Sequence, residues 1–220
     1  MCVRYTLLGL APEDFPEALA KAVGAAGAAW IPRYNVAPKQ SMPVITRRDR
    51  PVLETMSFGF TLPARTPAEK PVLLVNARAQ TLLDKPAFRD AAQHRRCLVP
   101  ADGFYEWEKQ GATRLPHYFA LREGRLFFFA GLWQPGTDAT PASFAIVTTG
   151  PNALLRPIHD RMPVILGPNS GPAWLGNEPL PPGRLARLCR PLPAEMMTRH
   201  RVDPRVNRVR YEAPDCIRPL

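Results

Sequence analysis

Apolar and polar residues alternate in short runs along most of the chain, the two-residue period of strands that bury one face. Residues 2–8 predict a first strand, and 44–46, 52–60, 72–75, 95–100, 103–108, 117–121, 126–133, 144–149 and 164–166 predict the others. One longer stretch departs from that rhythm. Residues 12–29 are Ala-rich with apolar positions at helical spacing, and Pro12 and Asp14 stand where a helix starts. Shorter helices are expected around 173–175 and 185–188. Gln110-Gly111, Glu123-Gly124 and Pro135-Gly136 mark turns. Many short strands with few helices predict an α+β fold. It is a β-rich single domain over residues 1–220 whose mixed and antiparallel strands close into a barrel-like sheet.

Composition changes this picture in three places. The 27 Pro and 14 Gly shorten helices and favour ordered loops, yet stay below the level at which disorder becomes the default. The net charge is +10, and only Lys21, Lys39, Lys70, Lys85 and Lys109 are lysines, so 24 of the 29 basic residues are Arg. A planar guanidinium suits phosphate and stacks on bases, which makes nucleic acid the first partner to consider. A GC-rich genome explains the same excess of Arg, Ala and Pro, so composition alone leaves both readings open. Finally, Cys2, Cys97, Cys189 and Cys216 show no close pairing, so no metal site is expected, and nothing calls for a cofactor. The longest apolar run, 126–133, is strand-sized, and the first residues lack a secretory pattern. A reducing cytoplasm, free thiols and no membrane are therefore expected.

Five segments hold candidate chemistry. Loss of Met1, usual before a small residue, gives Cys2 both an α-amine and a thiol. An α-amine titrates near about 8 against about 10.4 for lysine, so a useful fraction is free at neutral pH. It can condense with an aldehyde to an imine, and the thiol can then close a thiazolidine. Equally, Cys2 reads as a small buried hydrophobe on the first strand. Residues 32–38, Pro-Arg-Tyr-Asn-Val-Ala-Pro, read as an ordered loop with Asn35 at a turn. Asn76 and Arg78 follow the 72–75 strand, either as a solvated turn or as a hydrogen-bonding amide with a phosphate-reaching guanidinium. Glu106 lies in an aromatic strand, where desolvation raises a carboxyl toward neutrality. Alternation sets it on the face of Phe104 and Glu108, and a charged Glu108 would raise it further; an edge strand with polar residues outward is the plainer reading. His159 sits between strands with Asp160 and Arg161, a proton carrier at neutral pH whose tautomer Asp160 or a backbone carbonyl would fix, or a capped structural residue.

Taken together, these segments resemble the SRAP family (SOS-response-associated peptidase). Met-Cys-x-Arg, Arg-Tyr-Asn-x-Ala-Pro, Asn-Ala-Arg, Gly-Phe-Tyr-Glu-Trp and Ile-His-x-Arg-Met-Pro occur in order between Cys2 and Leu166, and Val206-Asn207-Arg208-Val209 resembles the tail. The resemblance implies a barrel-like SRAP fold and covalent capture of abasic sites in single-stranded DNA, with strand cleavage (lyase) and autoproteolysis as linked activities. It implies Cys2 as nucleophile, Asn76 as its positioning group, Glu106 as general acid/base and His159 as the group assisting sugar-ring opening. Arg4, Asn35, Arg78 and Arg161 are implied as DNA contacts. A monomer acting in the cytoplasm, at the bacterial nucleoid when bound to DNA, is expected. Three departures stand out: Val3 for the usual Gly, Gln80 for Glu, and Ser-Phe-Gly-Phe-Thr-Leu-Pro at 57–63 in place of a Trp-containing wedge, where Phe58 and Phe60 are the candidate substitutes. Two other functions compete. An N-terminal-nucleophile peptidase or amidohydrolase would turn over an amide with no need of an aldehyde, and a non-catalytic single-strand binder would not need Cys2.

Overall fold

The computed structural model describes every residue except 1, 63–65, 67, 69, 139, 168 and 177, and only the backbone at 25, 26 and 28. The first strand, β1 (Tyr5–Leu7), is followed by a 3-10 turn and the helix α1 (Glu17–Ala28). The single helix expected over 12–29 is divided because Pro16 disfavours helical backbone at Phe15, which is extended. Next come β2 (Arg33–Val36), β3 (Ser41–Arg47), β4 (Pro51–Phe58), β5 (Phe60–Leu62), β6 (Val72–Leu74) and β7 (Asn76–Arg78). Gly59, at φ 112°, separates β4 from β5 within what reads as one strand in sequence. Then follow α2 (Pro86–His94), β8 (Arg96–Ala101), β9 (Gly103–Gln110), β10 (Thr113–Leu121), β11 (Phe127–Gln134) and β12 (Ser143–Thr149). The chain closes through β13 (Met162–Pro163), β14 (Ile165–Leu166), α3 (Ser170–Leu175), α4 (Pro182–Leu188) and β15 (Met197–Arg201).

Two main sheets result. One is antiparallel, in the order β15-β10-β9-β1-β2. The other runs β12-β4-β3-β8-β11 and closes through the β11–β12 pairing into a ring. The ring is irregular, because β4 and then β7 lie parallel to β12 along the same strand while the other ring pairings are antiparallel. The expected β-rich α+β fold is observed, as a sheet ring with appended strands.

An aromatic core joins the sheets. Tyr5 meets Phe58 and Phe129 edge-on at 5.8 and 5.7 Å, Phe104 meets Phe129 at 6.0 Å, and Phe58 stacks on Phe144 at 5.1 Å. Each such pair adds about 1 kcal/mol beyond its buried area. Phe58 and Phe60 are buried in this core. They cannot replace a surface aromatic wedge, which corrects that expectation.

Candidate functional site

Two neighbours hold the amino-terminal strand in place. Tyr5 pairs with Val36 on β2 and with Phe104 on β9, and the Tyr105 N–H donates to the Arg4 carbonyl at 3.0 Å. Asp102, just before β9, accepts from the Thr6 hydroxyl and the Leu8 N–H. The Tyr118 hydroxyl lies 3.0 Å from the Thr6 hydroxyl, and a Cβ at position 103 would collide with it, so Gly103 is required. This clamp fixes where residues 2–4 emerge.

Cys2 is wholly buried. Its carbonyl accepts from the Asn76 amide at 3.0 Å, and the same amide donates to the Val75 carbonyl at 3.0 Å. Asn76 belongs to β7 and is carried by pairing with Ile146, so of the two readings of this segment the solvated turn gives way to a short strand with a hydrogen-bonding amide. Its Oδ1 is buried without a partner among the described residues. Burial pushes the Cys2 thiol well above its usual range, and the nearby Glu106 carboxylate pushes it further.

Glu106 is 2 % exposed and sits on β9 in the middle of its sheet, not at an edge. Burial raises its carboxyl to about 7, with Asp160 adding to the rise. Asp160, not Glu108, is therefore the neighbouring carboxylate that matters. Glu108 is turned to the His117 Nε2 at 2.9 Å.

His159 is 27 % exposed, and the Arg161 backbone N–H donates to its Nδ1 at 3.0 Å. Asp160 Oδ1 lies 2.9 Å from the same nitrogen, and these two contacts demand opposite protonation of Nδ1. Burial lowers the ring's affinity for protons, and Asp160 is 85 % exposed, so the amide contact governs and the neutral ring carries its proton on Nε2. A backbone N–H, rather than the expected carboxylate or carbonyl, fixes the tautomer.

Arg161 donates to Gln80 Oε1 at 2.9 Å and to the Thr148 hydroxyl at 3.1 Å, while its Nε is buried without a partner among the described residues. Gln80 thus keeps an acceptor for Arg161 while lacking a carboxylate's charge. Burial and the neighbouring Arg78 both lower the Arg161 guanidinium's hold on its proton, so two cations stand close together. Arg78 is exposed and has no ion pair among the described residues. A groove of about 510 Å³ borders this cluster, lined by Val3, Glu106, Trp107, His159 and Asp160, with Lys109 and Arg114 at its mouth. Lys109 and Arg114 were not foreseen; only the β9–β10 register makes them neighbours.

Arg4 and Asn35 are placed otherwise than expected. Arg4 is 6 % exposed, with its Nε 2.9 Å from Asn35 Oδ1 and an Nη donating to the Val206 carbonyl. The Asn35 amide points to the carbonyls of Val206 and Tyr211 at 3.1 and 2.8 Å. Asn35 lies on β2, and the pair ties the amino-terminal strand to the carboxyl-terminal tail through the Arg4 Nε and one Nη.

The model of the family described as SOS response associated peptidase (SRAP) matches residues 1–209. The chain belongs to the SRAP family. It is 35% identical over 193 residues to the abasic site processing protein YoqW of Bacillus subtilis (strain 168), covering 86% of each chain. It is 29% identical over 197 residues to the abasic site processing protein YedK of Escherichia coli (strain K12), again covering 86% of each. Among solved structures, a crystal structure of a Bacteroides thetaiotaomicron protein superposes with a TM-score of 0.78 at 22% identity over the whole of both chains. A phage-related protein of Bordetella bronchiseptica superposes at 0.70 with 27% identity, covering 91% of this chain and 94% of its own. The SRAP assignment therefore rests on sequence along nearly the full length and on a shared fold. Among the described residues, no helix is long and apolar enough to cross a membrane, and no group of three or more His, Cys, Asp or Glu is placed to hold a metal ion.

Proposed function

We propose that this SRAP protein captures abasic sites in single-stranded DNA by bonding covalently through Cys2. The relatives' shared name, abasic site processing protein, points to the substrate class. The observation that carries the chemistry is a carboxyl poised near neutrality within electrostatic reach of Cys2, at the head of a groove.

With Met1 removed, the Cys2 amine attacks the C1′ aldehyde of the ring-opened sugar. Glu106, as the acid, donates a proton to the departing hydroxyl; water leaves and an imine forms. The Cys2 sulfur then adds to the carbon of the protonated imine, whose nitrogen keeps its hydrogen, the thiol proton returns to Glu106, and a thiazolidine closes. Burial holds the thiol protonated, so the amine acts first. That order disfavours a cysteine-peptidase reading, which needs a thiolate as the opening nucleophile. The His159 Nε2–H donates to the sugar ring oxygen as the ring opens. Asn76 holds the Cys2 carbonyl and so the amine's direction of approach. Arg78 and Arg161 receive the flanking phosphates, and Lys109 and Arg114 extend the basic track across the groove. The same imine acidifies the adjacent C2′–H, so strand cleavage by β-elimination competes with ring closure.

Denaturing electrophoresis of mature protein with oligonucleotides, one intact and one carrying a single abasic site, tests this reading. A heat-resistant adduct formed only by wild type and only with abasic DNA supports it. Absence of an adduct, from protein verified to lack Met1, overturns it.

A further inference from the structure

Glu106 has a companion that the reaction scheme above does not use. In the β9–β10 register it lies directly opposite His117. Direct cross-strand partners share a face with Cβ atoms about 5 Å apart, and alternation adds Glu108 to that face. His117 is 5 % exposed. Its Nε2 is 2.9 Å from Glu108 Oε2, and its Nδ1 is buried without a partner among the described residues. The Glu108 side chain is 39 % exposed. A buried carboxyl, a buried imidazole and a half-exposed carboxylate therefore form a row from the site to solvent.

The surrounding charges keep the imidazole neutral. Burial lowers its affinity for protons, and Arg199 and Arg201 on β15 push the same way, Arg201 being its register partner on the far side. Glu108 opposes them, and Asp160 acts on Glu106 from the groove. With its proton on Nε2 toward Glu108, the ring keeps a lone pair on Nδ1.

We propose that His117 is a positioning residue that couples Glu106 to solvent through Glu108. To ready Glu106 as a base, Nδ1 accepts its proton while the Nε2 proton moves to the Glu108 carboxylate. The reverse shift returns a proton to Glu106. Each cycle of draining and refilling matches one acid step and one base step, so this inference rests on the reading of Glu106 as the acid–base group.

The test is a pH titration of protein labelled with 13C in its Glu carboxyls, followed by NMR without DNA, with the Glu106 signal assigned from Glu106→Gln. In His117→Gln and Glu108→Gln the Glu106 midpoint is expected to move by about half a pH unit or more. Adduct formation by the same variants is expected to slow roughly tenfold with an altered pH profile, while affinity for intact DNA stays unchanged. A Glu106 titration and adduct profile superimposable on wild type in both variants overturns the coupling. Were wild type to form no adduct, the reaction scheme would fall while the NMR titration still decided the coupling. Should His117→Gln fail to fold, Glu108→Gln, at a half-exposed position, decides alone.

Discussion

The amino-terminal strand has two sides that treat polar groups in opposite ways. On one side Arg4 and Asn35 spend their hydrogen-bonding atoms on each other and on carbonyls of the carboxyl-terminal tail. Glu212 completes that side by accepting from the Asn35 N–H at 3.0 Å and from Tyr34. On the other side Asn76 Oδ1 and Arg161 Nε are buried without partners among the described residues, and Arg78 stands close to the cation of Arg161. An unsatisfied buried polar atom costs about 1–3 kcal/mol, so a fold that keeps these two gives up stability there. The saturated side builds the scaffold, and the unsaturated side is where a ligand gains most by binding.

The largest effect expected from breaking this contrast is that of Cys2→Ala. It removes a small buried side chain from the unsaturated side, and we expect complete loss of the DNA adduct with the melting temperature changed by only a few degrees. Adduct gel and calorimetry together check it. Retention of the adduct would mean that another nucleophile does the work.

Next in size is Glu106→Gln, expected to slow adduct formation by about a hundredfold. Its stability carries a sign. The folded carboxyl sits near 7, above the ordinary 4.5, so the native state prefers the protonated form. The resulting cost is absent below the unfolded value, grows as pH rises, and is complete above about 7. Glu106→Gln is therefore expected to be more stable than wild type at pH 8 by about 2–3 kcal/mol, with the gain fading by pH 4. Urea melts at both pH values check this, and equal gains at each would remove Glu106 as the titrating group.

These effects also show what could be read from the chain itself. Strand alternation gave most of the sheet, since one-sided burial is written in the two-residue period. It did not give β15, whose Met-Thr-Arg-His-Arg is mostly polar, or α2, a short helix that buries only Phe88, Ala91 and Ala92. Cys2, Asn76, Glu106 and His159 were nameable because each motif carries its own chemistry. The burial of Arg4 was not legible because a motif does not say whether a guanidinium faces water or a carbonyl, and that depends on a tail 202 residues further along the chain. The His117–Glu106 pairing was equally hidden, because register is a property of two strands and a turn.

On the saturated side the expected effect is smaller and of another kind. Arg4→Met keeps the length of the side chain but takes the Arg4 donor from Asn35 Oδ1 and leaves the Val206 carbonyl with the Asn35 amide. We expect a loss of about 2–4 kcal/mol, seen as a melting temperature lower by roughly 6–10 °C. DNA affinity of the folded fraction should hold. A weaker affinity with an unchanged melting temperature would invert the assignment and make Arg4 the ligand.

The smallest effect, and the sharpest test of the contrast, belongs to Arg78→Ala. Arg78 is exposed and contributes no ion pair among the described residues, so its removal should leave stability within about 0.5 kcal/mol of wild type. Its charge repels Arg161, a cost that Asp160 partly offsets and that a bound anion offsets further. Removing one phosphate contact to a single strand lowers the dependence of log affinity on log salt by about 0.7. The affinity deficit should therefore be several-fold at low salt and shrink steadily as salt is added. Titrations of a fluorescent single-stranded oligonucleotide at four salt concentrations measure that slope directly. A deficit that did not change with salt would mean that Arg78 acts through packing, and the unsaturated side would lose its claim to the phosphates. A slope lowered as expected would mean that Arg78 meets a phosphate, so that one anion beside the cation pair is the substrate's own.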